Sequence, residues 1–277
     1  MPLKIEVLDR IPTYEGRVKL NPVSGQENTY DMVRADQPIA EGTKLNKALL
    51  DQKAYTLTED VTVYVATTGN DLTGDGTSAL PYATIQKAVD SLPKWLDGYT
   101  ATIDIAEGTY EGRVVLEGFH GGMVVLGTGR AVTVRAIRVD NCSVVKINVA
   151  EIVRSESVVG TLLSIRNGSN AQYGSRFVVD GMAAEISGIV VETNSTLSAV
   201  DSALLIARNC AYNAVYATGG SKVALSGIAG ANNGVGLRSD SGAAISYSSR
   251  SIEATTANIT TNGGRIYSSA QASIPSY

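Results

Sequence analysis

NAVYATGGSKVALSGIAGANNG (213–234), VGLRSDSGAAISYSSRSIEATT (235–256) and ANITTNGGRIYSSAQASIPSY (257–277) read as three successive copies of one pattern. Aligned without gaps at a step of 22, they bring Gly220, Gly242 and Gly264 into one column, Val215, Leu237 and Ile259 into another, and Val223, Ile245 and Tyr267 into a third. Thr218, Asp240 and Asn262 fall together at a polar turn position. Recurring small apolar residues with a glycine at one corner are what a parallel β-helix requires, because each rung pairs only with its neighbours and stacks like residues along the core. Asn167-Gly168 and Asn194-Ser195 precede Gly219-Gly220 at longer spacing. Loops of variable length on a constant coil account for that.

Working toward the N-terminus, the chain is a series of short apolar runs, among them VYVA, ATIDIA, RVVLEG, MVVLG, AVTVRAIRV, TLLSIRN and ALLIARN. Turn residues interrupt them too often for a sandwich of long strands, and no helices alternate with them as a βαβ fold requires. The expectation is an all-β chain whose residues 61–277 form a parallel β-helix of about ten rungs with a period near 22.

One helix pattern stands at the start of this coil. Ile85, Ala88, Val89 and Leu92 recur at i, i+3, i+4 and i+7 between Pro81 and Pro93, which predicts a short helix over 84–92 with one apolar face. A β-helix exposes a hydrophobic cross-section and unpaired strand edges at its ends, so this helix is read as a lid on the N-terminal end. GNDLTGDG before it lacks the spacing and terminal Glu of a hand-type calcium loop and is read as a glycine-rich turn. Residues 1–60 differ in composition, with most of the Pro and little sustained periodicity. They are expected to form an extended arm carrying one short helix behind Thr43.

Composition narrows the function classes. The net charge of −4, with Lys and Arg scattered, gives no footprint for nucleic acid. No apolar run reaches membrane-spanning length, so membrane insertion is not expected, and MPLKIEVLDRIP carries charges where a signal peptide has an apolar stretch. Cys142 and Cys210 form no metal spacing and are read as reduced core residues. No metal or cofactor is expected.

VYVATTGNDLTGDGTSALPYATIQKAVDSLP resembles the opening motif of right-handed parallel β-helix proteins of the pectate-lyase-like superfamily, which is abundant in bacteriophage tail spikes and tail fibres. IPTYEGRVKLNPVSGQENTYDMVRADQPIAEGTKLNKALLD is similar to the N-terminal segment of tail-fibre or baseplate-associated proteins of phages and prophages of Gram-positive bacteria, and GGRIY (263–267) to endings in that group. Together these stretches cover about a third of the chain. The resemblance implies a virion component, made in the host cytoplasm: a homotrimeric fibre or spike that docks to tail or baseplate proteins through residues 1–60 and projects its β-helix toward the host surface, with cell-surface polysaccharide as the partner.

The same architecture also carries polysaccharide-cleaving spikes, which use carboxylates gathered on one face. Asp180 and Asp201, 21 apart, are the best candidate pair. Both sit in turn-like contexts, VVDGM and AVDSA, where Asp caps its own backbone and Asn would serve as well. Trp95, the single Trp, lies beside the lid helix, and His120 lacks a Ser or Cys nucleophile pattern and is read as a turn residue. The readings that remain are a structural, receptor-binding tail component and, as the alternative, a polysaccharide-degrading spike.

Overall fold

The computed structural model describes residues 56–268, apart from 157–159 and 175, together with Ser24 and four short strands N-terminal to them. The chain divides into two compact units, one formed by residues 3–54 and the other by 55–277 with Met1 and Pro2. In the smaller unit Ile11–Pro12 pairs antiparallel with Pro38–Ala40, and Val18–Pro22 pairs antiparallel with Tyr30–Arg34. The expected extended arm therefore contains two small antiparallel pairs. The helix expected behind Thr43 lies outside the described residues.

The larger unit is a parallel β-solenoid in which seventeen strands belong to one continuous sheet. Three ladders run along it. The first joins Ala101, Val124, Val145, Ala171, Leu197, Val223, Ile245 and Ile266. The second joins Tyr110, Val134, Ile152, Val179 and Ala207, and the third joins Leu116, Val139, Ile165, Val191, Ala217 and Ser239. Apart from Ile266 at the last turn, these side chains are all buried. Each fully buried Val, Leu or Ile among them contributes about 1.5–3 kcal/mol by leaving water. Because successive strand residues point to opposite faces, a one-residue slip would expel a whole column.

The steps along the first ladder are 23, 21, 26, 26, 26, 22 and 21 residues, giving about seven turns with a period near 23 where the sequence suggested about ten. The difference has a physical source: the step from Val61 to Ala101 takes 40 residues because it includes the lid. The middle turns are also longer than 22.

The corner from the third ladder to the first is the constant part. Asn167-Gly168, Thr193-Asn194, Gly219-Gly220, Ser241-Gly242 and Asn262-Gly263 all have positive φ at both residues, the geometry of a two-residue type I′ turn, which Asn and Gly tolerate best. Ser221 N, Ala243 N and Gly264 N close these turns onto Thr218 O, Asp240 O and Thr261 O. The next residue points inward in three successive turns: Ser169, Ser195 and Ser221 are buried. Their hydroxyls accept from Cys142 N, Ser169 N and Ser195 N at 3.1–3.2 Å. The column of Gly220 and Gly242 thus stands as read from the sequence, but its third member is Gly263, and Ile245 and Leu237 face Ile266 and Asn258 rather than Tyr267 and Ile259. A register shift between Gly230 and Asn233 absorbs the extra residue.

The lid is the helix Ile85–Ser91, with Ile85, Ala88, Val89 and Leu92 buried as the spacing predicts. Asp71, from the glycine-rich loop, fixes its start by accepting from Ala83 N, Thr84 N and the Thr84 hydroxyl at 2.6–3.0 Å, and Thr84 Oγ1 accepts from Lys87 N. The loop is a helix-capping device. Gln86 then closes the strand edge below: its Nε2 donates to Val115 O at 3.2 Å and its Oε1 accepts from Val115 N at 2.7 Å. A side-chain amide here takes the place of the missing neighbouring strand. Gln86→Ala is expected to destabilise the coil by about 1–2 kcal/mol, the cost of leaving two partly buried peptide groups unpaired, measured as a lower urea midpoint at unchanged slope.

Candidate functional site

Asp180 ends a run of second-ladder residues and is buried at the corner leading to the third. Its Oδ2 accepts from Arg208 Nε at 2.7 Å, and its Oδ1 accepts from Asn209 Nδ2 and Met182 N, each at 2.9 Å. Arg208 is its ladder partner in the next turn. Asp140 repeats the arrangement at the corner between third and first ladders, accepting from Arg166 Nε at 2.7 Å and from Asn167 Nδ2 at 2.6 Å. Asp240 accepts from Asn262 Nδ2 at 3.0 Å. Asp180 therefore belongs to a recurring cross-turn brace in which one turn's carboxylate holds the Asn of the next turn, and in two of the three cases its Arg as well.

Asp201 lies elsewhere. It sits in the turn from the first ladder to the second, one turn further along, with φ of 56°, and its carbonyl accepts from Ser226 Oγ at 2.5 Å. The structure does not bring the two carboxylates together: the local step is 28 at Asp180, so its counterpart is Arg208, and the spacing of 21 joins different corners.

The chemistry of Asp180 matches its surroundings. Burial acts to raise its pKa, but the hydrogen bonds from Asn209, Met182 and Arg208 and the Arg208 charge outweigh that and hold the carboxyl below the usual range. Asp140 is held low in the same way by Asn167, Arg166 and Arg138 against its burial. A general acid for glycoside cleavage needs the opposite, a carboxyl kept protonated near neutral pH.

The remaining residues singled out by the sequence are dispersed. Cys142 and Cys210 are buried free thiols, as expected, and burial pushes Cys210 up to about 12. His120 is not in a turn: it bridges in parallel to Trp95, which bridges in turn to Thr56, and its Nδ1 lies 3.4 Å from Ser143 Oγ. Among the described residues no group of three or more His, Cys, Asp or Glu could hold a metal ion, and no helix is long and apolar enough to cross a membrane.

The feature that sequence reasoning missed is a cleft of about 570 Å³ in the last three turns, lined by Tyr212, Asn213, Gly234, Arg238 and Thr255 among others. Its origin is a taper. From second ladder to third, the chain takes eleven residues between Val178 and Ile189, nine between Ile206 and Val215, eight between Ala229 and Leu237, and seven between Ser251 and Asn258. Each turn stands back from the one before it. No family model, curated protein or solved structure matches the chain.

Asp180→Asn presents an NH₂ where a carboxylate oxygen accepts from either Arg208 or Asn209, so it is expected to cost about 1–3 kcal/mol, whereas exposed Asp201→Asn is expected to be neutral in the same thermal melts. Both braced carboxyls have folded pKa values below their unfolded ones. The stability they add is therefore present above the ordinary carboxylate range and is lost as pH falls through the lowered values. Tm should drop from about pH 4 downward, and less steeply in Asp180→Asn.

Proposed function

We propose that the chain is a structural and receptor-binding component of a phage or phage-like tail. Residues 1–60 attach it to tail or baseplate proteins, and the coil projects toward the host cell as one of three side by side. The virion assignment rests on the sequence resemblance; the observation that carries the lateral assembly is the outer face of the second ladder. From Leu204 onward its outward positions are Leu204 and Ile206, Gly227 and Ala229, then Ser249 and Ser251. None of these six carries a charge; the next outward positions do, Arg208, which is held by Asp180, and Glu253, so the neutral strip is two residues wide in each turn. A sheet surface kept monomeric is usually guarded by Lys or Glu, and a small, neutral face suits close packing about a three-fold axis that closes the contact. Gly227 fits this: Leu204 Cδ1 and Ser249 Oγ converge within about 3.3 Å of where its Cβ would be, leaving the face smooth.

The coil suits presentation. At about 4.8 Å per turn, seven turns extend roughly 35 Å, and the adjacent carboxylates of Glu117 and Asp140, register partners in successive turns, are both paired with Arg138. Light scattering on the full chain should give three times 29.0 kDa, and Ala229→Glu should give the monomer at an unchanged Tm. A trimer that survives Ala229→Glu would remove this face from the assembly. A chain starting at Tyr55 should keep a cooperative β-type melt and lose incorporation into particles; loss of the fold on that truncation would contradict the division of roles.

A further inference from the structure

The two-residue corners between the third and first ladders are joined by a series of backbone hydrogen bonds that has a last member. The second residue of each corner donates its N–H to the first residue of the next: Gly168 to Thr193, Asn194 to Gly219, Gly220 to Ser241 and Gly242 to Asn262. At Asn262-Gly263 the series stops, and Gly263 N has no hydrogen-bond partner among the described residues. Both residues are exposed. A stacked corner leaves one donor over at its end, and here that donor is the backbone nitrogen that follows an asparagine.

An asparagine followed by glycine can close on itself, because glycine has no side chain to keep its nitrogen from the preceding amide carbon. The chain has three such pairs, Asn167-Gly168, Asn233-Gly234 and Asn262-Gly263. Asn233 is buried, its Oδ1 accepting from Cys210 N and its Nδ2 donating to Ala207 O and Glu253 O, so its amide is fixed from three sides. Asn167 and Asn262 share the same left-handed turn and donate to the same kind of partner, Asp140 and Asp240. They differ in what holds the turn. Gly168 N is engaged by Thr193 O, and the strand that follows it, Asn170–Tyr173, lies between Val144–Ile147 and Thr196–Ala199. Gly263 N is unengaged, and the strand that follows it, Arg265–Ser268, pairs only with Ala244–Tyr247 among the described residues. The left-handed backbone must unwind before either nitrogen reaches the side-chain carbon, and such opening is easiest where a strand has one neighbour instead of two.

We propose that Asn262 is a self-modification site, which releases ammonia and leaves aspartate or isoaspartate at this corner. Gly263 N gives its proton to water or hydroxide and bonds to Asn262 Cγ; the Cγ–Nδ2 bond breaks, and Nδ2 leaves as ammonia with a proton from solvent. Water then opens the cyclic imide at either carbonyl. The net change is amide plus water to acid plus ammonia, with nothing oxidised or reduced. Opening at the main-chain carbonyl gives isoaspartate, which adds a main-chain carbon to a turn whose fixed length sets the register. Opening at Cγ sets a carboxylate against Asp240 in place of the amide that donates to it at 3.0 Å. Either product loosens the strand Arg265–Ser268.

Peptide mapping by mass spectrometry, with enzymatic methylation specific for isoaspartate, tests this on the full chain held folded in mildly alkaline buffer and unfolded in the same buffer with urea. Divided by its own rate in urea, the folded-state conversion of Asn262 should exceed that of Asn167 and of Asn233 by about tenfold or more. Asn262→Gly, which gives this corner the glycine pair found at Gly219-Gly220, should abolish conversion here at unchanged Tm. In the converted chain, separated by its added negative charge, the amides of Ile266 and Tyr267 should exchange hydrogen faster than in the unconverted chain. Conversion of Asn262 in urea but not in the folded chain, or equal relative rates at Asn167 and Asn262, would overturn the site; unaltered exchange at Ile266 and Tyr267 would overturn the loosening.

Discussion

The structure depends on register, and register depends on one corner. At the passage from third to first ladder, five successive turns hold two residues in the left-handed region, and those turns also bond to one another, Gly168 N to Thr193 O, Asn194 N to Gly219 O, Gly220 N to Ser241 O and Gly242 N to Asn262 O. A two-residue turn of fixed geometry leaves no freedom to slip. The strand that follows must therefore direct the same alternate residues inward at every turn. The buried column from Ala171 to Ile245 and the inward serines below the corner both follow from this. Elsewhere the chain can vary: the other corners lengthen and shorten without disturbing the core, because the register is reset once per turn.

A coil of this kind solves its middle easily and its ends with difficulty. At the N-terminal end the helix covers the apolar cross-section, while Gln86 meets the exposed peptide group of Val115 with both halves of its amide. Asp71 secures the helix itself. One short loop and seven helical residues thereby cover both the apolar and the polar parts of the end.

Much of this was legible in the sequence, for physical reasons that also explain the errors. The glycine corner and the strand-like runs are local, and local patterns survive in sequence; so did the helix, whose four apolar positions are all buried. The number of turns was overestimated because turn length is set by corners whose excursions carry no periodic signal, such as the 40-residue step through the lid. The last block was misaligned by one because the register shift at Gly230–Asn233 depends on contact with the preceding turn, where a Cβ on Gly230 would meet Ala207 O. Asp180 and Asp201 were paired on a uniform spacing that the local 28-residue step does not obey. The cleft was invisible for a related reason: it is a difference between corners, and no single turn contains it.

The braced carboxylates of Asp140 and Asp180 join turns, and the proposed receptor-binding role asks the coil to hold a surface without cleaving it. The most direct measurement is to incubate the purified chain with cell-wall polysaccharide from the host and follow, in the same sample, polymer retained on the protein and new chain ends released. Retention with no rise in reducing ends or unsaturated sugars is the predicted result. Steady release of new ends by the intact chain would contradict it and establish the coil as a depolymerase.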